Sequence, residues 1–85
     1  MLDFNDFITL VHSTHDKDLL TNFLIGVTTS KERRELVRRV TIIQKLLDGE
    51  TQHKIATDLG VGIATVTRGS KELQAGKFKV LGQLL

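Results

Sequence analysis

The spacing of its apolar residues constrains this chain more than any other feature. They recur three and four positions apart along a sequence that contains no proline. That is the helical period, and no segment of alternating β-branched residues lasts long enough to make a strand. The expected fold class is therefore all-α, a succession of short helices.

The stripes and their breaks predict where those helices lie. Phe4, Phe7, Ile8 and Val11 give a first helix over about Asp3 to His12, broken by Ser13-Thr14. Leu19, Leu20, Phe23 and Leu24 give a second from about Asp16 to Ile25, with Gly26 ending it. Thr29-Ser30-Lys31-Glu32 reads as a capping box for a third, with Thr29 as N-cap. Leu36, Val40, Ile43 and Leu47 line one face of that helix, and Val37 and Ile42 widen it. So wide a face suits a helix buried by more than one neighbour. Gly49 stops it. A short helix over Thr51 to Leu59 follows, then Gly60-Val61-Gly62, then a helix from about Ile63 to Gln74. The tail from Gly76 has the residues for one more short helix around Val80, Leu81, Leu84 and Leu85.

At 85 residues the chain is a single domain. A chain of this size buries only about 60–65% of the surface it exposes when unfolded, so its own core is marginal. Without cysteine, neither a disulfide nor a thiolate metal site compensates, and oligomerisation is the remaining common remedy. The expected division is a dimerisation core over about 1–49, a helix-turn-helix over 51–74 and a tail over 76–85. The lack of cysteine fits a reducing cytoplasm. No apolar run approaches the roughly 20 residues of a membrane span. The acidic, polar start, Met1-Leu2-Asp3-Phe4-Asn5-Asp6, is unlike a signal peptide.

Charge is divided unevenly. The first thirty residues carry one lysine against four aspartates, and the rest carry eleven basic residues against six acidic ones. A basic C-terminal two-thirds suggests a polyanionic partner. The pair of short helices supplies what a helix-turn-helix needs. Ile55 and Leu59 point inward from the first helix and Val66 back from the second. Ala56 is small where the backbones approach, Gly60 takes the turn, and Val61 fills the corner. The second helix then reads DNA. Its first turn, Gly62-Ile63-Ala64-Thr65, has little bulk and can enter a major groove. Ile63 and Ala64 suit thymine methyls, while Thr65 and Thr67 suit base edges or phosphates. Gln52, His53 and Lys54, at the start of the first helix, are placed for the backbone. Gly60-Val61-Gly62 is not a phosphate loop, since no strand precedes it.

The run Gly60-Val61-Gly62-Ile63-Ala64-Thr65-Val66-Thr67-Arg68-Gly69-Ser70 resembles the signature of the tryptophan repressor family. Arg39-Val40 through Leu46-Leu47-Asp48-Gly49-Glu50 resembles that family's central helix and the turn after it. The resemblance implies an intertwined all-α homodimer with two projecting helix-turn-helix heads. It also implies a sequence-specific repressor that takes L-tryptophan, or a related small ligand, as corepressor between core and head. In the family two arginines flank the indole ring, and they match Arg39 and Arg68. The threonine capping the central helix matches Thr29. The glycine beside the second arginine matches Gly69, where a side chain would crowd the ring.

The chain departs from the family pattern at several places. Glu72 stands where the family usually has a serine near the ligand's amino group. Gly26 and Thr28 replace leucines before the capping threonine. The turn near Thr51 is one residue shorter, Ala56 aligns with a DNA-contacting lysine, and the family's extended N-terminal arm has no counterpart. Glu72 lies four residues after Arg68, a spacing that allows an ion pair which either orients Arg68 or occupies it.

Other residues carry less. His12 and His15 are three apart, but no carboxylate cluster completes a metal site with them. Lys31, Arg33, Arg34, Arg38 and Arg39 form a basic run that reads as a solvated face, Arg39 excepted. Asp16 and Asp18 oppose a helix dipole. No nucleophile–base arrangement points to an enzyme. Two other functions fit the same residues: a constitutive, ligand-independent regulator on the same DNA-binding frame, and a helical dimerisation module whose head contacts protein.

Overall fold

The computed structural model describes the backbone of residues 1–84 and the side chains of residues 1–82. Among these residues there are six helices and no strand. They are α1 (Phe4–Ser13), α2 (Lys17–Val27), α3 (Ser30–Leu47), α4 (Gln52–Leu59), α5 (Ile63–Gln74) and α6 (Lys79–Leu84). The expected all-α class is the one observed. None of the helices is long and apolar enough to cross a membrane. The chain divides into two compact units, Met1–Arg34 and a second beginning at Glu35.

In the first unit the helix starts are set by local chemistry. The Asp3 carboxylate accepts from the Asp6 N–H at 2.8 Å, and Asp6 accepts from the Asp3 N–H at 3.0 Å, a reciprocal cap for α1. Asp16 caps α2 by accepting from the Leu19 N–H at 3.0 Å. The capping box expected ahead of α3 is formed: Glu32 accepts from the Thr29 N–H at 2.8 Å, and Thr29 Oγ1 from the Glu32 N–H at 3.1 Å. The reading of Gly26 as a stop needs correction, because α2 continues through it to Val27. The end of α2 is held from further along the chain. The Arg33 guanidinium donates to the carbonyls of Ile25 (3.1 Å) and Thr28 (2.8 Å) and to Thr28 Oγ1 (3.1 Å). A cation on the last carbonyls of a helix satisfies orphan acceptors and opposes the dipole. Arg33 is thus a cap and not part of a solvated run. The ring centroids of Phe7 and Phe23 lie 5.9 Å apart, and those of Phe4 and Phe7 6.3 Å.

In the second unit α4 and α5 pack closely. Ile55 and Val66 are fully buried, together with Ile42 of α3, and Leu46, Ala56, Leu59 and Val61 close around them. Thr51 caps α4, its hydroxyl accepting from the Lys54 N–H at 3.2 Å. Gly60 ends α4 in the left-handed region at φ +67°, a conformation that a β-carbon makes costly. The wide apolar face of α3 splits. Ile42 and Ile43 are buried, whereas Leu36, Val37, Val40 and Leu47 remain exposed in the single chain. The tail forms α6, which includes Val80 and Leu81; Leu85 lies outside the described residues.

Candidate nucleic-acid interface and ligand cavity

Helix α5 begins without a side-chain cap. Gly62 is its N-cap and offers no acceptor, so the first N–H groups of the helix face outward unpaired by any side chain. Gly62, Ile63, Ala64 and Thr65 are all exposed, while Val66, next in sequence, is completely buried. The helix is therefore anchored by one face and open on the other. Such an end attracts anions through its free N–H groups and its dipole.

The other residues assigned to DNA are distributed as follows. Thr67 and Gln52 are half-buried, and the Thr67 hydroxyl donates to Gln52 Oε1 at 2.7 Å. This bond ties the middle of α5 to the start of α4 and leaves the Gln52 amide nitrogen directed elsewhere. His53 and Lys54 are exposed. The Lys54 ammonium lies 2.7 Å from Asp58 and 3.2 Å from Glu50, one helical turn to either side. The hydrogen bond to Asp58, and then that to Glu50, raise the Lys54 pKa. In turn the Lys54 ammonium holds the Asp58 carboxyl below its usual value. Lys54 would have to share its charge between these carboxylates and any phosphate.

Four of the five residues assigned to a ligand line one open cavity of about 380 Å³ between α3 and α5. They are Arg39, Arg68, Gly69 and Glu72. The fifth, Thr29, is the N-cap of α3 in the first unit. Gly69 has a packing reason beside any ligand. A β-carbon there would come 3.2 Å from Ile42 Cγ2 and 3.3 Å from Ile43 Cδ1, so α5 crosses α3 where no side chain fits without a shift.

Other residues complete the cavity. Ile42, Ile43 and Phe78 supply apolar wall, Thr65 a hydroxyl, and Glu35 a second carboxylate. Glu35 accepts from Arg38 Nη2 at 2.7 Å and lies 3.7 Å from Arg39 Nε. Its signal was present in the sequence, since Glu35 precedes Arg39 by one helical turn. Phe78 gave none, because the turn at Gly76 separates it from the periodic pattern. No ion pair joins Arg68 to Glu72 among the described residues.

Residues 3–81 match the family model described as Trp repressor protein. The Trp operon repressor homolog of Vibrio vulnificus is 47% identical over 76 residues, covering 85% of this chain and 72% of the relative. That of Vibrio campbellii is 42% identical over 74 residues, covering 86% of this chain and 74% of the relative. That of Vibrio cholerae is 40% identical over 74 residues, covering 86% and 72%.

Proposed function

We infer, for a chain that belongs to the Trp repressor family, that it is a sequence-specific DNA-binding repressor that acts as a homodimer in the cytoplasm. The family is one of DNA-binding regulators and not of enzymes. The observation that carries this reading is the two-faced character of α5. Val66 locks it into the small core, while its uncapped first turn presents only Gly62, Ile63, Ala64 and Thr65.

In the proposed complex that turn enters the major groove. Ile63 and Ala64 approach thymine methyls, and Thr65 approaches base edges or phosphate. Gln52, oriented by Thr67, joins His53 and Lys54 on the phosphate backbone, where contacts fix register. Residues of about 1–49 form the dimer core and 51–74 the reading head. The exposed Leu36, Val37, Val40 and Leu47 of α3 are the apolar surface that a second copy covers. A dimer carries two such heads, and the spacing between them selects sites one helical turn of DNA apart; a Trp repressor is among the standard illustrations of that geometry.

L-tryptophan, or a related small ligand, is the proposed corepressor. The cavity of Arg39, Arg68, Gly69 and Glu72 lies beside the reading helix, so an occupant there bears directly on how α5 is held. The two carboxylates among its lining residues favour a second reading, in which the chain represses without a ligand.

A duplex selected from random sequence and measured by fluorescence anisotropy at fixed salt tests both. Affinity should fall steeply as salt rises, as phosphate contacts require. Ala64→Glu should abolish binding while leaving helicity unchanged, because it sets a carboxylate against phosphates and base edges. Near-normal affinity in that variant removes α5 from the groove. Added L-tryptophan should tighten binding; indifference to it selects the ligand-independent reading.

A further inference from the structure

We propose that Asp58 limits the affinity of the reading head for DNA, its carboxylate competing with a backbone phosphate for the Lys54 ammonium. This rests on the DNA-binding reading above and adds to it an acidic residue that weakens the complex.

Four alternating charges run from the end of α3 along α4. Lys45 Nζ lies 3.4 Å from Glu50 Oε2, Lys54 Nζ lies 3.2 Å from the other Glu50 oxygen, and the same ammonium lies 2.7 Å from Asp58 Oδ2. Lys54 is the only lysine or arginine of α4. With Asp58 on the same helix, α4 offers a phosphate backbone no net positive charge from these two residues.

The two carboxylates that hold Lys54 are themselves held unequally. Glu50 is half-buried, meets Lys45 from α3, and its N–H donates to the Lys45 carbonyl at 3.1 Å. Asp58 has no side-chain partner but Lys54 among the described residues. It is the next-to-last residue of α4, at the negative end of the helix dipole. It also follows Lys54 in the less favourable order, base before acid. Both side chains are exposed, and an exposed ion pair is weak and screened by salt. A phosphate can therefore take Lys54 from Asp58 while Glu50 stays in place. The exchange strands a carboxylate one helical turn from the new contact, where it repels the phosphates. Asp58 thus acts twice, by holding Lys54 before binding and by opposing the backbone after it.

Anisotropy on the selected duplex across a salt series compares wild type, Asp58→Asn, Lys54→Gln and the double variant. Asp18→Asn is the control, removing the same charge from the exposed first turn of α2. Asp58→Asn should bind about fivefold tighter at low salt, the scale of one exposed ion pair. Its plot of log affinity against log salt should be steeper by about one, so that the gain fades as salt rises. Lys54→Gln should cost about fivefold more in the Asp58→Asn background than in wild type. Asp18→Asn should give a clearly smaller gain than Asp58→Asn. The proposal is overturned, and the DNA-binding reading stands, if Asp58→Asn binds no tighter than wild type or gains no more than Asp18→Asn. An equal cost of Lys54→Gln in both backgrounds overturns it in the same way. If neither wild type nor any variant binds the duplex at low salt, both fall.

Discussion

The two units of this chain solve the problem of small size differently. From Glu35 onward the chain closes a core: Ile42, Ile43, Ile55 and Val66 are all buried, and α4 and α5 lock around them. The first unit buries no side chain at all. Its helices are well capped by Asp3, Asp16 and Thr29, and its aromatic rings touch, yet Phe4, Ile8, Leu19 and Ile25 stay exposed. Caps define where helices begin and end but contribute only about 1 kcal/mol each. Burial holds a fold together, and the N-terminal unit has only partial burial within one copy. The contrast teaches that within one copy the chain from Glu35 onward closes a core on its own side chains and the first thirty-four residues do not.

The largest test of that contrast is a charge on the exposed N-terminal face. Leu19 is 65% exposed, and a surface change at such a site in a lone chain should cost almost nothing. Under a partner copy, Leu19→Glu instead buries an unpaired carboxylate, a cost of about 3–5 kcal/mol. The expected result by light scattering is a shift from dimer to a 9.5 kDa monomer with reduced helicity. Unchanged mass and melting temperature would erase the difference between the units. Next in size, Ile55→Ala should cost about 2–5 kcal/mol by opening a cavity in the closed core. Urea denaturation should show that loss whatever the protein concentration, whereas wild-type melting should rise with concentration. Asp16→Ala should cost about 1 kcal/mol by uncapping α2, seen as a lower melting temperature.

The smallest effect is an acid one, present in both units. The Thr29 N–H and hydroxyl hold the Glu32 carboxyl below its ordinary value, and Lys54 does the same for Asp58. Both carboxyls have folded pKa values depressed below the unfolded ones. Their contribution is therefore complete above the unfolded values and lost as pH falls through the folded ones. Carboxyl NMR titration should place the Glu32 and Asp58 midpoints below the ordinary glutamate and aspartate values. Midpoints at or above those values would remove the cap and the ion pair as stabilising contacts in solution.

Much of the fold was legible because its signals are local. Thr29 and Glu32 are three residues apart, Gly60 follows the last apolar residue of α4, and Ile63 to Gln74 keeps one period throughout. The end of α2 was misread because the residue holding it, Arg33, lies beyond the next cap. A glycine in sequence looks like a stop only until a distant guanidinium is seen to supply one. The division of the α3 face was also hidden, since Ile43 and Leu47 share a stripe and only packing separates the buried from the exposed. At the cavity, Arg39, Arg68, Gly69 and Glu72 follow from resemblance and Glu35 from its helical spacing to Arg39, while Phe78 is joined to it by tertiary structure alone.

The crossing at Gly69 has an evolutionary consequence. Its missing β-carbon would fall against Ile42 and Ile43, so the position that shapes the cavity floor also sets the contact between two helices. A side chain at this position requires Ile42 and Ile43 to give by a few tenths of an ångström. The exposed rim carries no such tax, because Glu72 can change without repacking anything. Diversification of ligand preference among relatives should accordingly be written at the rim and leave the floor untouched.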